Sequence, residues 1–478
     1  MNKFSKYLKK KKVLLKALIA KLDEKYEFAS VLATDVSGKT YAKDKNSTHI
    51  IPSYISECGF VVRVFKDSVY SEYSFSEIDE KDIDKIVNDI DELVSFKTSI
   101  EKICCNIIKE EKIEKKFKRN MQGKLYSDSE IIDKLSSVVE YGLGLDKLVV
   151  NAKAGIEIVE ISKMYISKNK DLEQYYTWVN PGCTVFAKKG DVMKYAYDGF
   201  GTNNVELALD KLKDSMKETV KLAIELLDAK PATPGVYTII TDPSITGLFA
   251  HEAFGHGLEM DQFVKERAVA KDYIGKRVAK PILNMHDGAK STFSVASYFF
   301  DDEGALANDT QIIKKGILNG GICDSISASI LGVAPTGNGR RQSYKRKSYT
   351  RMTNTFFDKG KDKLEDMIAS VDYGYYIAIT NNGMEDPKNW GIQCTALYGR
   401  EIVNGKFSGK IISPVVMSGY VIDFLESISM ISSENFSVIG SGSCGKGYKE
   451  WVRVSDGGAS LKAEVKIGWW KLTQLSKL

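Results

Sequence analysis

Hydrophobic positions in the first 230 residues alternate between the period of a helix and the period of a strand. Apolar residues at every third or fourth position predict helices over residues 7–26, 82–93, 128–141 and 205–227. Runs of β-branched and aromatic residues predict strands over residues 28–35, 59–75, 147–152, 155–166, 175–187 and 192–197. We expect a turn at residues 36–39, and a solvated linker or helix face over the charged residues 109–118.

A change of composition near residue 231 divides the chain. Residues 230–235 contain two prolines and a glycine, which cannot continue a helix. Short strand candidates and turns then follow one another from Gly316 onward. We therefore expect an α+β N-terminal domain, residues 1–230, and a β-rich, barrel-like C-terminal domain, residues 231–478, with Trp469 and Trp470 in its core.

Composition argues against a fibrous, disordered or nucleic-acid-binding protein. Hydrophobic residues make up 43% and charged residues 27%, which is typical of a globular protein, and a net charge of +5 over 478 residues does not favour nucleic acid. The seven cysteines follow no regular spacing, which indicates a reducing, cytoplasmic compartment, with Cys104, Cys105 and Cys183 in or near cores. The first apolar run is interrupted by Lys16, which favours an amphipathic helix over a signal peptide, and no membrane partner is expected.

Two of the chain's four histidines lie close together, with a glutamate beside the first. His251, Glu252 and His256 form a His-Glu-Ala-Phe-Gly-His sequence, which resembles the zinc-binding helix of metalloproteases. Histidines four residues apart share one helix face, but five steps of about 100° put these two about 140° apart. The helix, which should begin at Asp242 and Pro243, must therefore contain a π-type bulge or end at the motif.

A third ligand must come from elsewhere, because a catalytic zinc ion usually has three protein ligands. The residue types leave four candidates, which are Cys444, His286, Glu259 and Asp261. Cys444 lies in a glycine-rich segment that can bend around an ion, and His286 lies in a turn-like segment. Chemistry alone does not separate these two. Glu252 is the candidate general base that would take a proton from water.

Four segments of the C-terminal half resemble the TldD/PmbA family of metallopeptidases: residues 251–259, residues 351–355, residues 370–376, and residues 444–446 followed by 454–458. The resemblance implies a zinc peptidase of the TldD-like branch, with His251, His256 and Cys444 as the metal ligands. It also implies unfolded or extended peptides as substrates, including peptide precursors. A TldE/PmbA-like subunit is the implied partner in a heterodimer, and a homodimer is the alternative. The roles of Arg351 and Asn354 stay open.

Two other functions compete with this interpretation. Cys444 and a histidine could form a cysteine protease pair, which a metal chelator would not inhibit. The chain could also be a non-enzymatic modulator that binds protein or DNA, as the family's label of gyrase modulator suggests. The basic stretch around Arg340 and Lys345 could serve such binding, but a solvated loop beside the cleft is the preferred interpretation.

Overall fold

The computed structural model describes residues 3–100 and 105–468, so Cys104, Trp469 and Trp470 lie outside the described residues. Helices α1–α4 of the first half are Lys6–Asp23, Ile83–Ile100, Asp128–Gly144 and Val205–Glu225. Strands β1–β8 are Phe28–Asp44, Thr48–Pro52, Glu57–Lys66, Val69–Phe75, Ile113–Lys118, Val149–Ser167, Lys170–Lys189 and Val192–Gly199.

These strands form one sheet in the order β4-β3-β1-β6-β7-β5, with β2 paired to β1 and β8 paired to β7. Apolar residues of α1 and α2 pack against β1 and β3 in one core, represented by Leu15, Ile90 and Val62. Those of α3 and α4 pack against β6 and β7 in a second core, represented by Leu135 and Leu212. Burial of these amphipathic faces holds the helices on the sheet.

Four local predictions in this half are wrong. Residues 147–152 and 155–166, which were predicted as two strands, form the single strand β6. Residues 36–39 do not turn but continue β1, and Gly38 is needed because a Cβ there would lie 2.7 Å from the Ile158 carbonyl oxygen. Residues 59–75 are two strands, β3 and β4, because Asp67 and Ser68 adopt positive φ angles and form a tight hairpin turn. The charged residues 113–118 form β5, a sheet-edge strand that pairs in parallel with β7.

The second half contains many short strands. Helices α5–α9 are Pro243–Leu248, Met260–Val264, Ser325–Leu331, Leu364–Ala369 and Val421–Ser427. Strands β9–β25 are Gly235–Thr241, Met285–Asp287, Thr310–Lys314, Ile317–Leu318, Gly339–Arg340, Tyr349–Thr350, Asn354–Phe357, Tyr373–Asp386, Gly391–Val403, Lys406–Ile412, Val415–Tyr420, Met430–Ile431, Ser437–Ile439, Ser443–Lys446, Glu450–Arg453, Ser455–Gly458 and Leu461–Ile467.

The strands β16, β9, β25, β19 and β17 close into a barrel, because β17 also pairs with β16. A second sheet runs in the order β12-β11-β10-β15-β24-β21. The α+β class and the barrel-like C-terminal region are therefore confirmed. The division near residue 231 stays a prediction, since Lys230 already forms a bridge to Ile412 of β18. Within the described residues, no helix combines the length and the apolar character needed to cross a membrane.

Helix α5 lies between the barrel and the second sheet and carries the chain toward the candidate site. Its Gly247 lies directly against β24, where a Cβ would come within 2.4 Å of the Gly457 nitrogen. Asp242 caps the helix, with its side chain accepting the Ile245 N–H at 2.8 Å, and Pro243 occupies the first turn as predicted. The motif that follows is therefore fixed against two sheets.

Candidate metal centre

The helix changes its winding at the histidine motif. After α5 the chain forms a π-helix over Phe249–Gly255 and then a 3₁₀ turn over His256–Leu258. A π-helix bonds residue i to residue i+5, so histidines five positions apart return to the same side. The rings of His251 and His256 are 5.1 Å apart. The predicted distortion is thus confirmed, and it brings both imidazoles to one place.

Cys444 completes a cluster with the two histidines. One ligand atom from each of His251, His256 and Cys444 lies within 4.8 Å of the others, and all three residues belong to the described part of the chain. The Cys444 Sγ is 3.7 Å from the His256 Nε2. His251 and Cys444 are buried, whereas His256 is partly exposed. Two imidazole nitrogens and a thiolate are a donor set that suits Zn²⁺.

The hairpin of β22 and β23 delivers Cys444, and Arg351 holds that hairpin in place. Arg351 is fully buried and donates hydrogen bonds to the carbonyl oxygens of Cys444 and, at 3.1 Å, of Glu450. This is the role that the sequence left open for Arg351. Asn354 has a separate structural role, because its Nδ2 donates to the Gly288 carbonyl at 3.0 Å. Neither side chain belongs to the ligand cluster itself.

His286, which the sequence left as a rival to Cys444, lies outside the cluster. It belongs to β10, where its Nδ1 is 2.8 Å from Asp309 and its Nε2 is 3.5 Å from Asp358. Its ring stacks on Phe356 with 5.6 Å between centroids. The hydrogen bond to Asp358, opposed by burial and aided by Asp309, raises the pKa of His286 to about 9. His286 is therefore a charged partner of two acids.

Glu259 and Asp261, the other candidate ligands, lie next to the cluster but are not part of it. The Glu259 carboxylate is 3.2 Å from the His256 Nδ1, so the opposite nitrogen, Nε2, is directed toward Cys444. Lys446 lies between the two acids, with its Nζ 3.0 Å from Glu259 and 2.7 Å from Asp261. Burial favours a protonated Glu259, but Lys446 and His256 outweigh it and lower the pKa of Glu259 to about 2.

His251 is oriented differently. Its Nδ1 is buried and lacks a hydrogen-bond partner among the described residues, and the Asp456 carboxylate lies 4.0 Å away. Burial raises the pKa of Asp456 to about 6, although His251 opposes this rise. The sequence placed Asp456 in a family-like segment but gave it no role. In the structure, Asp456 is the carboxylate beside the His251 ring.

The charges of the cluster are interdependent. Burial disfavours the Cys444 thiolate, but His256 and His251 together outweigh burial and hold the thiol pKa well below its usual range. Burial also opposes a proton on His251, but the Cys444 thiolate outweighs it and raises the His251 pKa to about 9. The pKa of His256 is raised in the same way. A divalent cation would replace these protons as the thiolate's positive partner.

Glu252 faces a cleft beside the cluster. Its carboxylate is 3.7 Å from the His256 Nε2, and Gly383 of β16 lies so close that a Cβ there would be 2.5 Å from the Glu252 Cγ. The cleft has a volume of about 580 Å³ and is lined by Glu252, His256 and Cys444 among others. A water molecule and an extended chain could therefore meet the carboxylate and the cluster together.

Sequence reasoning missed Glu385, which supports the distorted helix from β16. Its carboxylate accepts the Gly257 N–H at 2.9 Å, at the turn that carries His256. Burial raises the pKa of Glu385 to about 8. The only local signal was a turn-like Glu-Asp-Pro sequence, and nothing in it indicated contact with a helix more than a hundred residues earlier.

Comparisons with known proteins agree with this geometry. A profile of the PmbA/TldA metallopeptidase C-terminal domain matches residues 234–464. The chain is 33% identical over 262 residues to a metalloprotease TldD homologue of Buchnera aphidicola, covering 52% of this chain and 51% of that one. It is 31% identical over 297 residues to a zinc metalloprotease TldD homologue of Saccharolobus solfataricus, covering 59% of this chain and 63% of that one.

The matched region thus spans about half the length of the Buchnera relative. A solved structure of TldE from Thermococcus kodakarensis has the same fold, with a TM-score of 0.73 and 17% identity. That match covers 95% of this chain and 100% of the TldE chain. The profile and the relatives lead to one conclusion: residues 234–464 are a C-terminal domain of the PmbA/TldA metallopeptidase type, in a chain similar to TldD metalloproteases.

Proposed function

We propose that this chain is a zinc-dependent peptidase that hydrolyses unfolded or extended peptides, including peptide precursors. The observation that carries the proposal is the convergence of His251, His256 and Cys444 within 4.8 Å, beside a cleft that Glu252 borders. These residues would hold zinc, and one of them, His251, is buried with a ring nitrogen, Nδ1, that lacks a hydrogen-bond partner among the described residues. Zinc bound there would polarise the scissile carbonyl and lower the pKa of a water molecule.

Glu252 then acts as the general base and acid. Its carboxylate would take a proton from the attacking water and deliver it to the nitrogen of the leaving amine. Glu259 holds the Nδ1 side of His256, which keeps that ring in place during the reaction. Gly383 leaves room for the Glu252 side chain at the cleft wall.

The edge of β16 supports an extended substrate. Only Gly374–Ile377 of this strand pair with β9, so within the described residues the part that borders the cleft has a strand partner only on its β17 side. A peptide could hydrogen-bond to this edge through its backbone, which tolerates many sequences. A TldE/PmbA-like subunit in a heterodimer, or a second copy of the chain, is the proposed partner. The described cysteines are free thiols, which supports a cytoplasmic location.

The test combines zinc analysis with cleavage of an unstructured fluorogenic peptide. We expect Glu252→Gln to retain zinc and to lose at least about 100-fold in kcat, because general base catalysis contributes that much or more. Glu266→Gln is the matched control, since Glu266 is an exposed acid that pairs with Lys271. Full turnover by Glu252→Gln would overturn the assignment.

A chelator separates the proposal from its rivals. A cysteine protease pair of Cys444 and His256, which are 3.7 Å apart, would remain active after metal removal. A zinc peptidase loses activity and regains it with added Zn²⁺. A chain that cleaves no peptide and binds DNA in a salt-dependent manner would instead be a modulator without enzymatic function.

A further inference from the structure

The cleft beside Glu252 has an uneven distribution of charge. Its lining includes the acids Glu252, Glu259, Glu385 and Asp386. The cation Lys446 also lines it, but Lys446 is already paired with Glu259 and Asp261. Two further cations, Arg267 and Lys388, line the cleft, and in the described part of the chain neither side chain has a hydrogen-bond or ion-pair partner.

These two cations belong to adjoining loops. The Val269 N–H donates to the Pro387 carbonyl at 3.1 Å, which joins the loop after α6 to the turn between β16 and β17. The Arg267 N–H donates to the Gln262 carbonyl at 2.9 Å and closes the first loop. Asp386 fixes the second loop, because its carboxylate accepts the Lys388 N–H at 3.1 Å. Both backbones are thus held while both cationic groups remain available to a ligand.

We propose that Arg267 and Lys388 form a subsite that binds a carboxylate of the peptide substrate. This inference rests on the proposed peptidase function and names its substrate class. A substrate anion is repelled by Glu252 and attracted to the only lining cations, among the described residues, that lack a protein partner. The carboxylate is either the C-terminus of the peptide or an Asp or Glu side chain.

The geometry also limits where this carboxylate lies. Gly383 is next to Glu252, so hydrolysis occurs beside that part of β16. Lys388 follows five positions later in the chain. At about 3.3 Å per residue, five residues of extended peptide are an upper limit for this interval, because β16 ends at Asp386 and Lys388 lies in the turn beyond it. The recognised carboxylate therefore lies within about five residues of the scissile bond.

The test uses one unstructured labelled peptide in three forms. The first has a free C-terminal carboxylate, the second has a C-terminal amide and no acidic residue, and the third has the amide and one internal Glu. Fluorescence anisotropy measures binding to the Glu252→Gln protein, and kcat/KM is measured with Glu252 intact. Each measurement is repeated with Arg267→Gln plus Lys388→Gln. A control pair, Lys271→Gln plus Lys276→Gln, removes the same charge outside the cleft lining.

We expect at least one carboxylate form to bind about threefold to tenfold more tightly than the neutral amide, as two exposed charge contacts allow. The Arg267 and Lys388 substitutions should bring this ratio close to one, and the control pair should keep it. The form that shows the preference identifies the source of the carboxylate. Equal binding of all three forms, or an unchanged ratio in the double variant, would overturn the subsite. Preserved binding ratios without any cleavage would support the subsite and reject the peptidase function.

Discussion

The Cys444 Sγ lies 3.7 Å from the His256 Nε2, although 188 positions separate the two residues in the chain. The 3₁₀ turn after the π-helix presents the histidine, and a two-stranded hairpin presents the cysteine. Arg351 anchors this hairpin by donating to the Cys444 carbonyl from a position that is fully buried. The cluster therefore depends on the tertiary packing of the whole C-terminal region.

Replacing Glu385 should weaken zinc binding without unfolding the protein. Glu385→Ala leaves the Gly257 N–H without its 2.9 Å acceptor, which loosens the turn that carries His256. We expect a loss of about 10-fold to 100-fold in zinc affinity, as for other groups that orient ligands. Competition with a chromophoric chelator measures it. Glu385→Gln keeps an acceptor oxygen and should bind within about threefold of the original protein. Equal affinity of the alanine variant would contradict the role.

Lys446 and Lys265 should differ greatly in their effect on stability, although both pair with Asp261. Lys446→Met leaves buried Glu259 and Asp261 without their shared cation, which should cost about 3–5 kcal/mol of unfolding free energy. Lys265 is 45% exposed, so Lys265→Met should cost less than about 1 kcal/mol. Denaturant unfolding of the metal-free proteins measures both. Similar losses of unfolding free energy in the two variants would show that the ion pairs of Lys446 with Glu259 and Asp261 contribute little.

Zinc affinity should rise with pH up to about pH 9. The His251 imidazolium has its pKa raised to about 9, against burial, by the Cys444 thiolate, and it must lose its proton before the nitrogen can bind metal. A raised pKa means that the proton on His251 competes with zinc below about pH 9, and the raised pKa of His256 adds to this competition. Calorimetry in buffers of different ionisation enthalpy counts the released protons. An affinity that levels off near pH 7 would indicate that His251 has its ordinary pKa.

The sequence predicted the local part of the site because that part depends on helix geometry. Five-residue spacing is incompatible with a regular α-helix, so His251 and His256 predicted a π-type bulge or a helix end at the motif, and the structure has a π-helix there. The choice between Cys444 and His286 could not follow from residue chemistry, since only tertiary packing shows that His286 faces Asp309 and Asp358. The residue-by-residue resemblance to the family supplied that choice.

The fold was predictable where periodicity is strong and less so where charge or glycine dominates. The long helix α4 follows the predicted span closely, because its apolar face is continuous. The residues of strand β5 were expected to form a linker or a helix face, since an edge strand can expose the charged side chains that its sequence contains. Gly38 was mistaken for a turn residue, although its lack of a Cβ serves close strand pairing at Ile158.

X-ray absorption at the zinc edge tests the central claim most directly. The purified protein should contain one zinc ion per chain, with a sulfur ligand at about 2.3 Å and nitrogen ligands at about 2.0–2.1 Å. Cys444→Ser should remove the sulfur shell, and Cys183→Ala, which replaces a buried cysteine of the N-terminal sheet, should keep it. A zinc site without sulfur in the unmodified protein, or a sulfur shell that survives Cys444→Ser, would contradict the account.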